Sequence, residues 1–426
     1  MAALPVDVNY QLDGLPSTVK AASYVSRSTN GATFTSNNTV QFQLVNNQGL
    51  YLEPGSMYIS FRIKVTGDAA ASNLLLGVPA ASCWSRSSLQ ANSTSIEDIN
   101  NYGSVVSALL HSKLSTSAKS GLSKPFGLTF AADAANSVDS HTVGVGAVEN
   151  IIEVCIPLMN ALNNAEKMIP LDSAQFQIYM TLDELANFSA ETDGTATSLT
   201  GFSVDNCEIH YRAVQFPPDM DRAIKSQVDG AGDIYFKTQS YASSVQNIPA
   251  ATSGNVSLNF AQSLTSIKSV WCQFCKADTF KNFASYNVTN GAGSLGWVIA
   301  GTPYNQQRLD LTNHESDAVL EYLQAIHGTA VAPELSSSLS VNNFRTINTA
   351  DANGKDLSKA YFGVSTERLG AKQYMLTGVS SQGSNTVLEL SIDGGATNVS
   401  CQVIQVWNYD LLMKYSPAMN TLVVLK

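Results

Sequence analysis

Five short stretches of the 426-residue chain carry residue types that could do chemistry. Gly291-Ala-Gly-Ser-Leu-Gly296 has the G-x-G-x-x-G spacing, which lets a backbone approach a pyrophosphate when it follows a strand and opens a helix. Pro303 follows too closely for that helix, so a loop is expected. Cys272-Gln-Phe-Cys275 is a C-x-x-C, but a zinc site needs two more ligands at similar spacing and a redox pair opens a helix. Its apolar neighbours read as a buried strand instead. Asp139-Ser-His141 holds the residue types of a hydrolase triad, yet adjacent residues cannot point at one another as a triad requires. Asp310, His314, Glu315 and Asp317 could ligate a metal, but Thr312 and Glu315 are accounted for as a helix cap. Asp183 and Glu184 could supply a carboxylate pair for glycoside hydrolysis. Neighbours on a strand face opposite ways, so they are expected at a solvated strand end. No catalytic, cofactor-binding or metal residue is assigned, no cofactor is expected, and the chain reads as a non-enzyme.

The elements around these stretches are overwhelmingly β. Residues 40–45, 57–65 and 175–182 alternate apolar and polar, the period of strands with one buried face, and 151–156 reads as a further strand. Residues 207–216 alternate too, with Cys207, Ile209, Tyr211 and Ala213 inward, and Pro217-Pro218 stops them because proline has no amide hydrogen for a ladder. New β runs are expected at 233–241, 256–260, 267–274, 297–300, 361–364, 374–379, 386–392 and 399–408. Thr94-Ser-Ile-Glu97 and Thr312-Asn-His-Glu315 both match the capping box and predict one helix in each half, the first running to His111 and the second over 315–326. A long Ser-, Ala- and Gly-rich excursion follows the first helix at 112–149, and a second long excursion follows the other at 328–356. Helix, excursion and a closing strand that begins with cysteine recur in the same order, which argues for a two-unit repeat.

Composition limits the partners. Charged residues are 14% of the chain, against roughly 25% in an average domain. Sides poor in charge suit contacts between copies. The net charge of −10 and the lack of any Lys/Arg cluster disfavour direct nucleic-acid binding. No stretch reads as a signal peptide or membrane span, so a soluble chain made in the cytosol is expected. The six cysteines are too few and too scattered for a disulfide scaffold and are expected as free thiols.

Many short strands with a helix and a long surface loop per half predict an all-β fold of two tandem eight-stranded antiparallel jelly-roll sandwiches. The expected division is an arm at 1–38, the first jelly roll at 39–216, a linker at 217–232, the second jelly roll at 233–416 and a tail at 417–426. The order of Tyr51-Leu-Glu-Pro54, the 57–65 strand, the 96–110 helix, Lys167-Met-Ile-Pro-Leu171, Tyr304-Asn-Gln-Gln-Arg-Leu309 and Val406-Trp-Asn-Tyr-Asp410 resembles double jelly-roll viral major capsid proteins. That group includes adenovirus hexons, tectivirus coat proteins, virophages and Polinton-type elements. The resemblance implies a homotrimer imitating a hexagon in an icosahedral shell, penton or minor capsid proteins as partners, and location in the virion after assembly in host cytoplasm or nucleus. It leaves open whether a membrane lies beneath the shell. The alternative is a two-domain jelly-roll carbohydrate binder or glycosidase, which needs surface aromatics or facing carboxylates. Trp84, Trp271, Trp297 and Trp407 lie mostly in β runs and are expected to be buried.

Overall fold

A computed structural model describes residues 19–67, 74–77, 79–127, 140–143, 150–191, 199–228, 232–276, 292–304, 307–311, 315–327, 361–367, 376–392, 400–419 and 421–425. Eight principal strands of the first half are Lys20–Arg27, Thr39–Gln43, Tyr58–Gly67, Trp84–Ala91, Thr94–Asn100, Asn150–Pro157, Phe176–Leu182 and Leu199–Gln215. Counted along the chain, they pair in the order first, eighth, third, sixth in one sheet and second, seventh, fourth, fifth in the other. In the second half the eight are Ile234–Ile248, Gly254–Phe260, Ile267–Lys276, Ala292–Ile299, Thr302–Pro303, Tyr361–Ser365, Thr386–Ile392 and Cys401–Ser416. They pair in the same two orders. This is jelly-roll topology twice over. A helix joins the fifth and sixth strands in both, Tyr102–Lys113 and Glu315–His327.

Alternation explains the layers. In Phe176–Leu182 and Thr386–Ile392 every second residue is buried, so each strand turns one apolar face to the opposing sheet. Cys207, Ile209, Tyr211 and Ala213 are buried as expected. All four tryptophans are fully buried, Trp84 against Phe61, Trp407 against Phe260, and Trp271 against Tyr322 and Tyr361. Three connections of the first sandwich meet in a small extra sheet, formed by Leu74–Gly77, Ser140–Val143 and Ser189–Glu191.

Several expectations need correction. Thr94–Asn100 is a strand paired with Trp84–Ala91 and not the start of a helix. Asn101 precedes the helix in a left-handed conformation with no side-chain cap, and Glu97 is buried facing other partners. Inside the expected arm, Lys20–Arg27 is a full strand of the first sandwich, bonded along the closing strand, while residues 1–18 lie outside the described residues. Inside the expected linker, Pro218–Lys225 is a helix, with proline at its first position, where the missing amide hydrogen costs nothing. Thr421–Leu425, in the expected tail, folds back on the closing strand. The residues of the second capping box, 312–314, and the excursion 328–356 lie outside the described residues, as do 128–139 and 144–149 of the first excursion. That first excursion also carries the short helices Thr116–Gly121 and Ser123–Phe126.

Candidate functional site

The residues suspected of chemistry are dispersed by the fold. Gly293 and Gly296 lie within the strand Ala292–Ile299, not in a loop, and no helix opens behind them. Cys272 and Cys275 are buried on one strand at a spacing that points them to opposite faces. Asp183 is buried, not solvated: it accepts from the Glu184 amide at 2.8 Å and from the Asn187 side-chain Nδ2 at 2.6 Å, beside the short helix Leu185–Phe188. Asp310 ends a two-residue strand, Ser140 and His141 lie in the small extra sheet, and Asp139 and His314 lie outside the described residues. Among the described residues no group of three or more His, Cys, Asp or Glu could hold a metal ion. No described helix is long and apolar enough to cross a membrane.

Pairing does create one constellation that sequence reading missed. Ser60 Oγ lies 2.9 Å from His210 Nε2, and the Glu208 carboxylate 3.5 Å from that same nitrogen. A nucleophile triad needs the acid on the other ring nitrogen, so this trio cannot relay a proton from serine. Tyr58 stacks on the imidazole at 4.7 Å. Arg62 and Lys64 share Asp205 on the same sheet, and Arg27 meets Glu208, which makes the face a ladder of paired charges. The outward positions 58, 60, 208 and 210 were legible as polar, but their adjacency depends on strand register.

A run of buried polar contacts lies where the two sandwiches meet. The first sandwich covers the free edge of the second one's first strand. Glu166 N–H donates to Lys237 O at 3.3 Å, Asn164 Nδ2 to Gln239 O at 3.2 Å, and the Thr238 hydroxyl to Ala161 O. Ser240 donates to the buried carboxylate of Glu97, whose other oxygen accepts from the Ala161 amide at 2.8 Å. Ser243 Oγ donates to Asn100 O at 2.6 Å. Burial and the charge of Glu97 hold the nearby Tyr409 hydroxyl well above the ordinary tyrosine range. The two connecting helices join as well, through Ser112 Oγ and Tyr322 OH at 2.6 Å and through His327 Nε2 and Ser112 O at 3.2 Å.

A second buried cluster anchors the connecting helix to the first sandwich. Tyr51 OH donates to Asp221 at 2.7 Å, and Lys225 Nζ donates to Asp172 at 2.6 Å and Asp221 at 3.0 Å. Burial pulls the Lys225 ammonium down, and its bonds to the two carboxylates outweigh that, leaving its pKa above the ordinary lysine value. Beside this cluster, Tyr51, Met168, Phe216, Val228, Tyr235 and Tyr415 help line a half-open cavity of about 520 Å³.

The repeated strand order and the seam between the halves define a double jelly roll, the fold of viral major capsid proteins. The major capsid protein of Faustovirus superposes with a TM-score of 0.62 at 10% identity, over 97% of this chain and 93% of that one. A chain of the Sputnik virophage gives 0.59 at 13% identity over 100% and 92%, and the mavirus major capsid protein 0.55 at 10% over 100% and 95%. At such identities the likeness is one of fold. No protein-family model matches the chain, and no curated protein matches it.

Proposed function

We propose that this chain is a viral major capsid protein whose two jelly rolls stand side by side in a trimeric capsomer of an icosahedral shell. The observation that supports it is the match over nearly the whole length of both chains, this one and the capsid proteins it resembles. Two unequal copies of one fold per chain turn a threefold ring into a tile with six similar sides, and closed rings are the stable outcome of head-to-tail contacts. Residues 20–216 and 233–425 hold the two sandwiches in this reading, and 217–232 lies between them. The role is structural, in the virion, with penton or minor capsid proteins as further partners. The carbohydrate-binding alternative is dropped: all four tryptophans are buried, so none can stack on a sugar. Light scattering and negative-stain microscopy of the purified chain test the reading. Trimers or shells are expected; a salt-insensitive monomer at micromolar concentration would overturn it.

A further inference from the structure

Two charged side chains, on the first and closing strands of the second sandwich, meet below the surface of the molecule. Gln239 lies opposite Asp410, so Lys237, two residues along, stands diagonal to Asp410 on the same face. Lys237 Nζ is 3.8 Å from Asp410 Oδ1, with the lysine side chain 14% exposed and the aspartate 0%. The two carboxylate oxygens have opposite surroundings. Oδ2 accepts from Ser266 Oγ at 2.8 Å and from the Thr377 amide at 3.0 Å, and the Thr377 hydroxyl lies 3.3 Å from it. Oδ1 is buried and has no hydrogen-bond partner.

The fold fixes the donors as well as the carboxylate. Ser266 Oγ accepts from the Gly378 amide at 2.9 Å, which leaves its own hydrogen for Asp410. Gly378 fits there because it has no side chain; a Cβ would collide with the Ile267 carbonyl. Ile267 and Val379 exchange backbone hydrogen bonds and hold that approach. For a simple ion pair the arrangement is poor. The donors gather on the oxygen away from the lysine, and the nearer oxygen is left bare, a cost that buried polar groups seldom carry. For attack by the lysine on the carboxyl carbon it is the right way round.

We propose that Lys237 and Asp410 condense into an isopeptide bond, which staples the first strand of the second sandwich to its closing strand. An ammonium proton passes to Oδ1, and the lone pair so freed on Nζ attacks Cγ. The new C–N bond pushes the carbonyl pair onto Oδ2, where the Ser266 hydroxyl and the Thr377 amide hold the charge as an oxyanion hole does. When that pair returns, the Cγ–Oδ1 bond breaks, and Oδ1 leaves as water with a second proton taken from the nitrogen. One ammonium and one carboxylate become one amide and one water, with nothing oxidised or reduced and no further reagent. Positioning drives the step, since well-oriented groups in one molecule reach effective concentrations of about 10⁵ M or more, and burial keeps water from reversing it. The bare oxygen is the one that departs. The step runs once per chain and is not a turnover.

Mass spectrometry of the full chain, purified folded and then denatured, tests the bond. The chain is expected to be lighter than its sequence by one water molecule, and a digest to yield a branched peptide joining Lys237 to Asp410. Lys237→Arg and Asp410→Ala should each keep the full mass. Ser266→Ala retains both reacting groups but takes one donor from Oδ2, and in a time course of refolded protein it is expected to gain the bond about 10²-fold more slowly. A folded chain of full mass, with Lys237 and Asp410 recovered in separate peptides, overturns the proposal and leaves an ordinary buried ion pair. A lost water that maps to another residue, such as an Asp-Gly succinimide, overturns it as well. None of these outcomes bears on the capsomer reading, which light scattering tests separately.

Discussion

At the scale of single residues, close packing sets the sharpest constraint. A Cβ on Gly363 would stand 2.8 Å from Trp271 Cβ and 3.1 Å from the Tyr322 ring, where the Glu315–His327 helix lies on the sheet. Gly363→Ala should therefore destabilise the protein by about 1–3 kcal/mol, the usual cost of overpacking, read as a lower urea midpoint at unchanged slope. The thiols give a second test. Cys83, Cys207, Cys272, Cys275 and Cys401 are buried, and only Cys155 is half-exposed. A thiol reagent should modify Cys155 alone in the native protein and all six after denaturation. Burial pushes Cys207 and Cys401 up to about 12, and Cys83 and Cys272 further. In the unfolded chain the same thiols ionise near pH 8.5. Their contribution to stability is thus complete below that pH and is lost as pH rises toward 12. Urea midpoints measured from neutral pH upward should fall on the alkaline side; a flat profile would contradict the burial of these groups.

Turn chemistry decides the element that sequence reading misplaced. Thr94-Ser-Ile-Glu97 satisfies a capping box, but Asn92 and Ser93 just before it both take positive φ, 47° and 67°. That is the geometry of a two-residue hairpin turn, which twists the chain straight back into antiparallel pairing. A local pattern offered two structures, and pairing with Trp84–Ala91 selected the strand. The second half turns at the equivalent place with Ala300 and Gly301, at φ 52° and 76°. Glycine carries no Cβ penalty in this region, whereas other residues lose roughly 1–2 kcal/mol there. Ser93→Gly is expected to raise stability by about 1 kcal/mol and Ser93→Val to lower it by a similar amount, measured by thermal or urea unfolding. Strands with one buried face, such as Phe176–Leu182, were legible because their period is local. The edge strand Lys20–Arg27 was not, since almost none of its residues is buried and its pairing partner lies far along the chain.

At the scale of the whole molecule, the repeat and its order could be read from the chain, but the seam could not. Ser240 and Glu97 are 143 residues apart, and nothing local marks either as an interface residue. Once buried, the Glu97 carboxylate does more than fill space, because it holds one donor from each sandwich, the Ala161 amide and the Ser240 hydroxyl. Replacing it with alanine leaves both without that acceptor, at about 1–3 kcal/mol for each donor left unsatisfied. The loss falls on the contact between the sandwiches and leaves their separate cores intact. Two compact units held together by such a seam unfold as one only while the seam is stronger than the difference in their own stabilities. Glu97→Ala should therefore split a single urea transition into two, with the change visible at Trp84, in the first core, at a different midpoint from Trp297 and Trp407, in the second. Single-tryptophan variants make that separation measurable. A single coincident transition with the same slope as the unmodified protein would show that the helix contact through Ser112 and Tyr322, and not the buried carboxylate, holds the halves together.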